Sequence, residues 1–208
     1  DDFPDLRPFV FPTIEGKETN KQVEHFRRDE WDTLLKKIIE LSGNYANRFL
    51  SVEDYQELDA EYRKWIDLYD CISLLFFFYL RAEDIPRIRT EWFKDVGGVI
   101  YVKLEKTKQD RLKQDTEHLY SDGYDVWKRI EQRRPDGFLC FPHLDRTKKR
   151  VNKNISETAN ALLQEVVELC NISKKSKMTL TNIRHTAFRL TLEESKMVSF
   201  DEQELRLF

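Results

Sequence analysis

Two arginines stand out because of their apolar surroundings. Arg81 follows the apolar run Ile72 to Leu80, and Arg184 lies in the stretch Ile183-Arg184-His185-Thr186, near the start of a helical pattern. A guanidinium keeps its charge at physiological pH and can bind two phosphate oxygens at once. Taken singly, Arg81 could instead cap its helix or pair with Asp84, and Arg184 could be an ordinary solvated charge.

Other basic residues form local groups. The net charge is −3 and the sequence pI is about 5.9, so global charge gives no support for nucleic-acid binding, and any such role must rest on clusters. A charged stretch contains Lys103, Lys106, Lys108 and Lys113. We predict contacts with a phosphate backbone for Lys108 and for residues of two basic clusters, although such runs are commonly surface loops: Arg146, Lys148, Lys149, Arg150, Lys153, Lys174 and Lys175.

The elements that must position these residues are mostly helices. Only 6 glycines and 6 prolines occur in 208 residues, which disfavours a strand-and-turn protein. Apolar residues recur at helical spacing from about Asp29, and Gly43 is placed to end that helix. Ser51 to Asp54 reads as a capping box, from which an apolar stripe runs to Leu80 with a break allowed. Further helices are predicted over 122–134, through Ala159 and Leu163, and from about Thr179.

The middle of the chain changes pattern. Arg81 to Pro86 looks like a turn leading into a short second helix, and the Lys94 to Gly98 segment breaks the helical pattern. Ile100, Val102 and Leu104 then alternate with polar residues, which predicts a strand. The charged stretch after it would be the turn of a hairpin.

Several kinds of site and segment are not indicated. The cysteines Cys71, Cys140 and Cys170 are far apart, without metal-ligand spacing, and we expect them to be buried thiols in a reducing cytosol. The four histidines are dispersed, so we predict no metal. The longest apolar run has nine residues, which is too short to span a bilayer. No signal peptide is recognisable.

Two motifs resemble those of the tyrosine recombinases of the phage-integrase type. Tyr79-Leu80-Arg81-Ala82-Glu83-Asp84-Ile85-Pro86 is similar to their first arginine box, and Leu180-Thr181-Asn182-Ile183-Arg184-His185-Thr186 is similar to the second. A predicted strand and a lysine-rich turn lie between them, as in the family. The resemblance covers residues from about 25 to the end, and it implies a mainly helical α+β fold, the DNA breaking-rejoining catalytic fold with a small antiparallel sheet.

The resemblance also implies roles for individual residues. Arg81 and Arg184 would grip the phosphate during strand exchange, since fixed donors are worth roughly 3–4 kcal/mol each where charge develops. Lys106, with Lys108 as the second choice, would protonate the leaving 5′ oxygen. Thr181 stands where the family usually has histidine, and His185 belongs to the match mainly as a supporting residue. Neither a cofactor nor a metal is implied.

The implied protein is a site-specific recombinase or integrase of a mobile element that works through a covalent 3′-phosphotyrosine. Its partners would be double-stranded DNA and further copies of itself, as a tetramer on DNA, and no membrane. It would be a bacterial or phage-encoded protein of the cytoplasm, associated with the nucleoid. Residues 1–24 would be a linker and 25–208 the catalytic domain, cut before its nucleophile, because no tyrosine follows Tyr124. Two alternatives stay open: a non-catalytic DNA-binding module of the same fold, and a helical protein-interaction domain.

Overall fold

A computed structural model describes residues 24–102, 116–118, 121–144, 147, 150–174 and 176–205. Within these ranges the chain forms six α-helices and one small sheet, which confirms the mainly helical α+β class. The helices are α1 (Arg28–Leu41), α2 (Val52–Glu57), α3 (Ala60–Phe77), α4 (Ser121–Arg133), α5 (Val151–Leu169) and α6 (Leu180–Leu205). The strands are β1 (Phe93–Val96), β2 (Val99–Val102) and β3 (Thr116–His118).

Helix α3 lies at the centre, with α1, α4, α5 and α6 packed against it. Its residues from Trp65 to Leu75 are all buried, as expected for the run that is apolar on nearly every side. The predicted signals at the helix ends are confirmed. Gly43, at φ +66°, follows α1, and its amide donates to the carbonyl of Glu40. Ser51 caps α2 through the amide of Asp54 at 3.0 Å.

The sheet is antiparallel in the order β1-β2-β3. Phe93 of β1 stacks on Trp127 of α4, with ring centroids 4.1 Å apart, and meets Phe78 edge-on. The sheet is thereby fixed to α4 and to the end of α3. Val102 pairs with Thr116, so the two chain positions that flank residues 103–115 are neighbours in the sheet.

Two predictions for the middle of the chain were wrong. The prediction that 94–98 merely interrupts a helical pattern missed β1, whose register pairs Phe93 with Val102 across the Gly97-Gly98 turn. The short helix predicted after Arg81, with Pro86 in its first turn, is absent from the described residues: 82–87 form successive turns, and a 3₁₀ turn follows at Thr90–Trp92. Only Phe93 of β1 is buried. The strand is therefore defined by its pairing with β2 and not by an alternation of buried and exposed side chains.

A buried polar network joins α2, α3 and α4. The Arg134 guanidinium, just after α4, donates to the carboxylates of both Asp67 and Asp70 on α3. The Tyr55 hydroxyl of α2 donates to Asp67 at 2.6 Å, and Arg133 donates to the carbonyls of Ala46 and Arg48. Burial and the Asp67 charge raise the pKa of Tyr55 far above its usual value, so its hydroxyl stays protonated. The network fixes α4 and its sheet against the central helix.

Within the described residues, no helix is long and apolar enough to cross a membrane.

Candidate active site

Hydrogen bonds at the first turn of α6 fix the helix that carries Arg184. The amide and hydroxyl of Thr179 both donate to Oδ1 of Asn182, at 2.7 and 2.8 Å. The amide of Leu180 donates to Oδ1 of Asn160 on α5 at 2.8 Å. These side chains satisfy amides that a helix start leaves without backbone partners. As a result, Arg184 begins the second turn of a well-anchored helix.

One exposed face of α6 carries three of the predicted residues. Thr181, Arg184 and His185 are exposed, and their spacing of three and four residues puts them on one side of the helix. The opposite side packs into the core through Ile183, Ala187 and Leu190, which are at most 1% exposed. We call the side with Thr181, Arg184 and His185 the α6 face.

Arg81 reaches the neighbourhood of this face from the end of α3. The chain leaves α3 through Tyr79, at φ +48°, and the Tyr79 hydroxyl is hydrogen-bonded to Oγ1 of Thr191 on α6 at 2.7 Å. Arg81 follows two residues later. Partial burial, followed by the charge of Arg81, lowers the pKa of Arg184, so the two guanidiniums are near enough for their charges to interact. Both stay charged, because guanidinium is not deprotonated in proteins.

A buried carboxylate lies in the same segment as Arg81 and near enough to Arg184 for its charge to act on it. Asp84 is 2% exposed, and its charge partly opposes the lowering of the Arg184 pKa. Arg87 donates to its Oδ1 at 2.8 Å. Arg81 itself is 3.6 Å from Glu83, with both side chains about half exposed, so this pair is weak. An anion approaching from solvent would therefore meet two accessible guanidiniums.

The charge of a second histidine, which the sequence did not single out, also acts on His185. Burial first, then the charge of Arg184 and then His25, lower the pKa of His185. His25 belongs to the segment 24–27 that precedes α1 and runs along α6. No motif pointed to His25, since the contact joins two ends of the chain. Only the structure brings it to the α6 face.

The predicted lysines and loop arginines fall mainly outside the described residues. This applies to Lys106, Lys108, Arg146, Lys148, Lys149 and Lys175. Arg150 and Lys153, at the start of α5, are exposed, and Lys153 is 3.4 Å from Glu157. Lys174 differs: its ammonium binds Glu30 and the carbonyl of His25, and its side chain is 10% exposed. Because the charge of Lys174 is paired within the fold, we no longer propose Lys174 as a DNA contact.

No group of three or more His, Cys, Asp or Glu residues within the described ranges is placed to hold a metal ion. Comparison of the chain with protein-family models, curated proteins and solved structures finds no match. Any functional conclusion therefore depends on the residues and their arrangement.

Proposed function

We propose that this chain is the catalytic domain of a tyrosine-type site-specific recombinase that cleaves and rejoins duplex DNA through a covalent 3′-phosphotyrosine. The observation that carries the proposal is that Arg81 and Arg184, from distant parts of the chain, are both exposed and near enough for their charges to interact. The hydrogen bond from Tyr79 to Thr191 holds the Arg81 segment against α6. Two like charges held together repel each other, so their placement is understandable if an anion binds between them. A phosphodiester is the anion that two bidentate guanidiniums fit.

The proposed role of each residue follows from where negative charge develops on the phosphate during the reaction. When a hydroxyl attacks the phosphate, negative charge grows on the two non-bridging oxygens, and Arg81 and Arg184 would bind these oxygens most strongly at that stage. Buried Asp84, with Arg87 bound to it, would keep the first arginine segment in place below them. Lys106, in the chain between β2 and β3, would give a proton to the leaving 5′ oxygen. No tyrosine of this chain is assigned as nucleophile.

The openness of the site agrees with a polymeric substrate. The Arg81 side chain is 45% exposed, and the α6 face lies at the surface rather than in a closed cavity. Exposed Arg150 and Lys153 would add contacts to the phosphate backbone, which position a duplex without reading its sequence. On DNA, the proposal includes a tetramer of this protein that holds two duplexes.

The test is capture of the covalent intermediate. The full-length protein is incubated with nicked duplexes covering the DNA that borders its own gene, and protein–DNA adducts are resolved on a denaturing gel. We expect Arg184→Ala and Arg81→Ala each to lower adduct formation by about 10²–10³-fold, as loss of one such donor does. Arg189→Ala is the matched control, because Arg189 lies on the same helix but pairs with Glu193.

Each outcome decides between functions. Adduct formation by Arg184→Ala at the wild-type level would refute the site. Absence of adduct in the wild type, together with DNA binding that weakens steeply from about 50 to 200 mM salt, would favour the non-catalytic DNA-binding module. The hydroxyl at Thr181 is the feature that favours this second function, because a hydroxyl is a poor proton carrier. Lack of DNA binding at low salt would exclude both.

A further inference from the structure

An exposed aromatic side chain, Phe188, continues the α6 face. It follows Arg184 by four residues, and residues at that spacing lie on the same side of a helix, with Cβ atoms about 5–6 Å apart. Phe188 is 51% exposed. Other exposed apolar residues of the described chain, such as Phe49 and Leu169, lie on other elements. What distinguishes Phe188 is therefore its position beside a proposed phosphate contact.

The chain that leaves α3 approaches the same part of α6. The Tyr79 hydroxyl is hydrogen-bonded to Oγ1 of Thr191 at 2.7 Å, and Thr191 follows Phe188 by three residues. Arg81 comes two residues after Tyr79, and its side chain is 45% exposed. Along α6, Phe188 thus lies between Arg184 and the attachment point of the Arg81 segment. A ligand bound at Arg184 is within about one helical turn, roughly 5.4 Å, of this position.

The charges along α6 limit the class of ligand. The turn before Phe188 carries exposed Arg184, whereas the turn after it carries Glu193 and Glu194, both more than half exposed. A polyanion is therefore favoured from Phe188 towards Arg184 and disfavoured beyond Glu193. A nucleic-acid strand offers phosphates and flat base faces in alternation. Its rise is about 3.4 Å per nucleotide, so one turn of α6 spans roughly one to two nucleotides.

The state of the DNA decides which part of a nucleotide the ring can reach. The bases of an intact duplex stack on one another, and their faces are closed to a side chain on the protein surface. An unpaired base can turn outwards, and the cost of unstacking is smallest for a base that is already unpaired. Strand cleavage would open the duplex at the phosphate that the arginines bind.

We propose that Phe188 stacks on the base of an unpaired nucleotide next to the phosphate bound by Arg81 and Arg184, so that the site prefers DNA whose strand is open at that position. This inference rests on the proposed recombinase function. Every base has a π face, so stacking on an aromatic ring tolerates any sequence. Phe188 therefore adds affinity for an opened strand and does not select a base.

The experiment measures the affinity of the full-length protein for matched DNA probes by fluorescence anisotropy, at about 50 mM salt. The probes are an intact duplex of the DNA that borders the gene, the same duplex with a bulge of unpaired thymidines, and the bulged duplex with abasic nucleotides in place of those thymidines. We expect the wild type to bind the thymidine bulge about 5- to 100-fold more tightly than the abasic bulge. Phe188→Ala should bind the two bulges equally.

Further variants separate stacking from general apolar contact. Phe188→Trp should keep the preference for thymidines over abasic nucleotides, because it keeps a π face. Phe188→Leu is apolar without a π face and should lose most of the preference. Phe49→Ala is the matched control, since Phe49 is an equally exposed phenylalanine in the loop between α1 and α2, at 56% exposure. This control should keep the wild-type preference.

The outcomes for this ring and for the recombinase are distinguishable. A wild-type preference in Phe188→Ala would overturn the stacking contact, even if Arg184→Ala confirms the recombinase by losing its adduct. A lower unfolding midpoint or a changed oligomeric state of Phe188→Ala without DNA would also overturn it, because protein would then cover the ring. A preference that depends on Phe188, in a wild type that forms no adduct, would support the contact and refute cleavage. Failure to bind any probe would refute both.

Discussion

Asp67, Asp70 and Arg134 form salt bridges with almost no contact with water, at 0%, 1% and 4% exposure. Removing charges from water costs several kcal/mol per ion, and only close pairing offsets that cost. Here one guanidinium faces two carboxylates and lies 4.9 Å from the Tyr55 ring. The individual residues are therefore mutually dependent: each is tolerated in the core because the others are present.

Arg134→Ala should consequently destabilise the protein by about 3–5 kcal/mol, since it removes the guanidinium that binds both buried carboxylates. Asp70 would keep only Arg133, at 3.6 Å, and Asp67 only the His143 ring, at 3.3 Å. Lys153→Ala is the control, because its pair with Glu157 is 67% and 62% exposed and should be worth under about 1 kcal/mol. The free energy of unfolding is measured by urea titration of each variant. Equal losses in the two variants would contradict the role given to the network.

His185 gives a prediction on pH. Its folded-state pKa lies below the usual 6.5, so the unfolded chain binds the proton more tightly. Stability is therefore fully present above pH 6.5 and falls as the pH drops below that value, until the folded ring also becomes protonated. In His185→Gln, the contribution of this ring to the pH dependence of the free energy of unfolding disappears. The difference in unfolding free energy between about pH 7.5 and pH 5 should be smaller than in the wild type; an unchanged or larger difference would contradict the lowered pKa.

At the scale of elements, the sheet depends on one tight turn. Gly97 and Gly98 have φ values of +63° and +87°, which fit the two-residue hairpin turn that twists with its strands. A Cβ at either position would meet nothing within 4 Å, so any cost of substitution comes from backbone conformation alone. The turn sets the β1–β2 register, and with it the start of the chain segment that contains Lys106.

Gly98→Ala should therefore cost about 1–2 kcal/mol, the penalty of a left-handed backbone for a residue with a Cβ. Gly97→Asn should be close to neutral, because asparagine is accepted at the first position of such a turn. Thermal unfolding of both variants provides the comparison. A neutral Gly98→Ala would mean that the turn relaxes to another geometry without loss.

The elements also show what the sequence could predict. Helices α1 and α4 were predicted close to their observed bounds, and α6 close to its observed start, because an apolar stripe and the residues at a helix end act locally. Strand β1 escaped prediction because its Lys94 and Asp95 are exposed, and its partner strand alone defines it. The α6 face followed from spacing, whereas the approach of His25 depends on contacts between residues about 160 positions apart, which no local pattern contains.

On the scale of the whole molecule, one core encloses residues from every helix. Cys71 of α3 and Cys140 after α4 are both 0% exposed in this core, whereas Cys170 at the end of α5 is partly accessible. Burial also raises the pKa of the Cys71 thiol well above its usual value. Thiol chemistry can therefore report on the integrity of the core.

Burial also raises the pKa of the Cys170 thiol, which slows its reaction. With a thiol reagent such as Ellman's, we still expect partly accessible Cys170 to react faster than Cys71 and Cys140, whose rate is set by unfolding. Cys170→Ser should remove the fast phase only. Sub-denaturing urea should accelerate the slow phase and leave the fast one nearly unchanged. Rapid reaction of all three thiols in native buffer would contradict a closed core.

The hydrogen bond from Phe26 to Thr186 joins residues 160 positions apart, and this separation has a consequence for synthesis. At roughly 5–20 residues per second, the segment 24–27 leaves the ribosome about ten to thirty seconds before α6 exists to receive it. Until then Phe26 lacks its helix partner. A nascent chain interrupted before residue 180 would therefore hold Arg81 but not Arg184, so the two arginines can approach each other only after α6 has been synthesised.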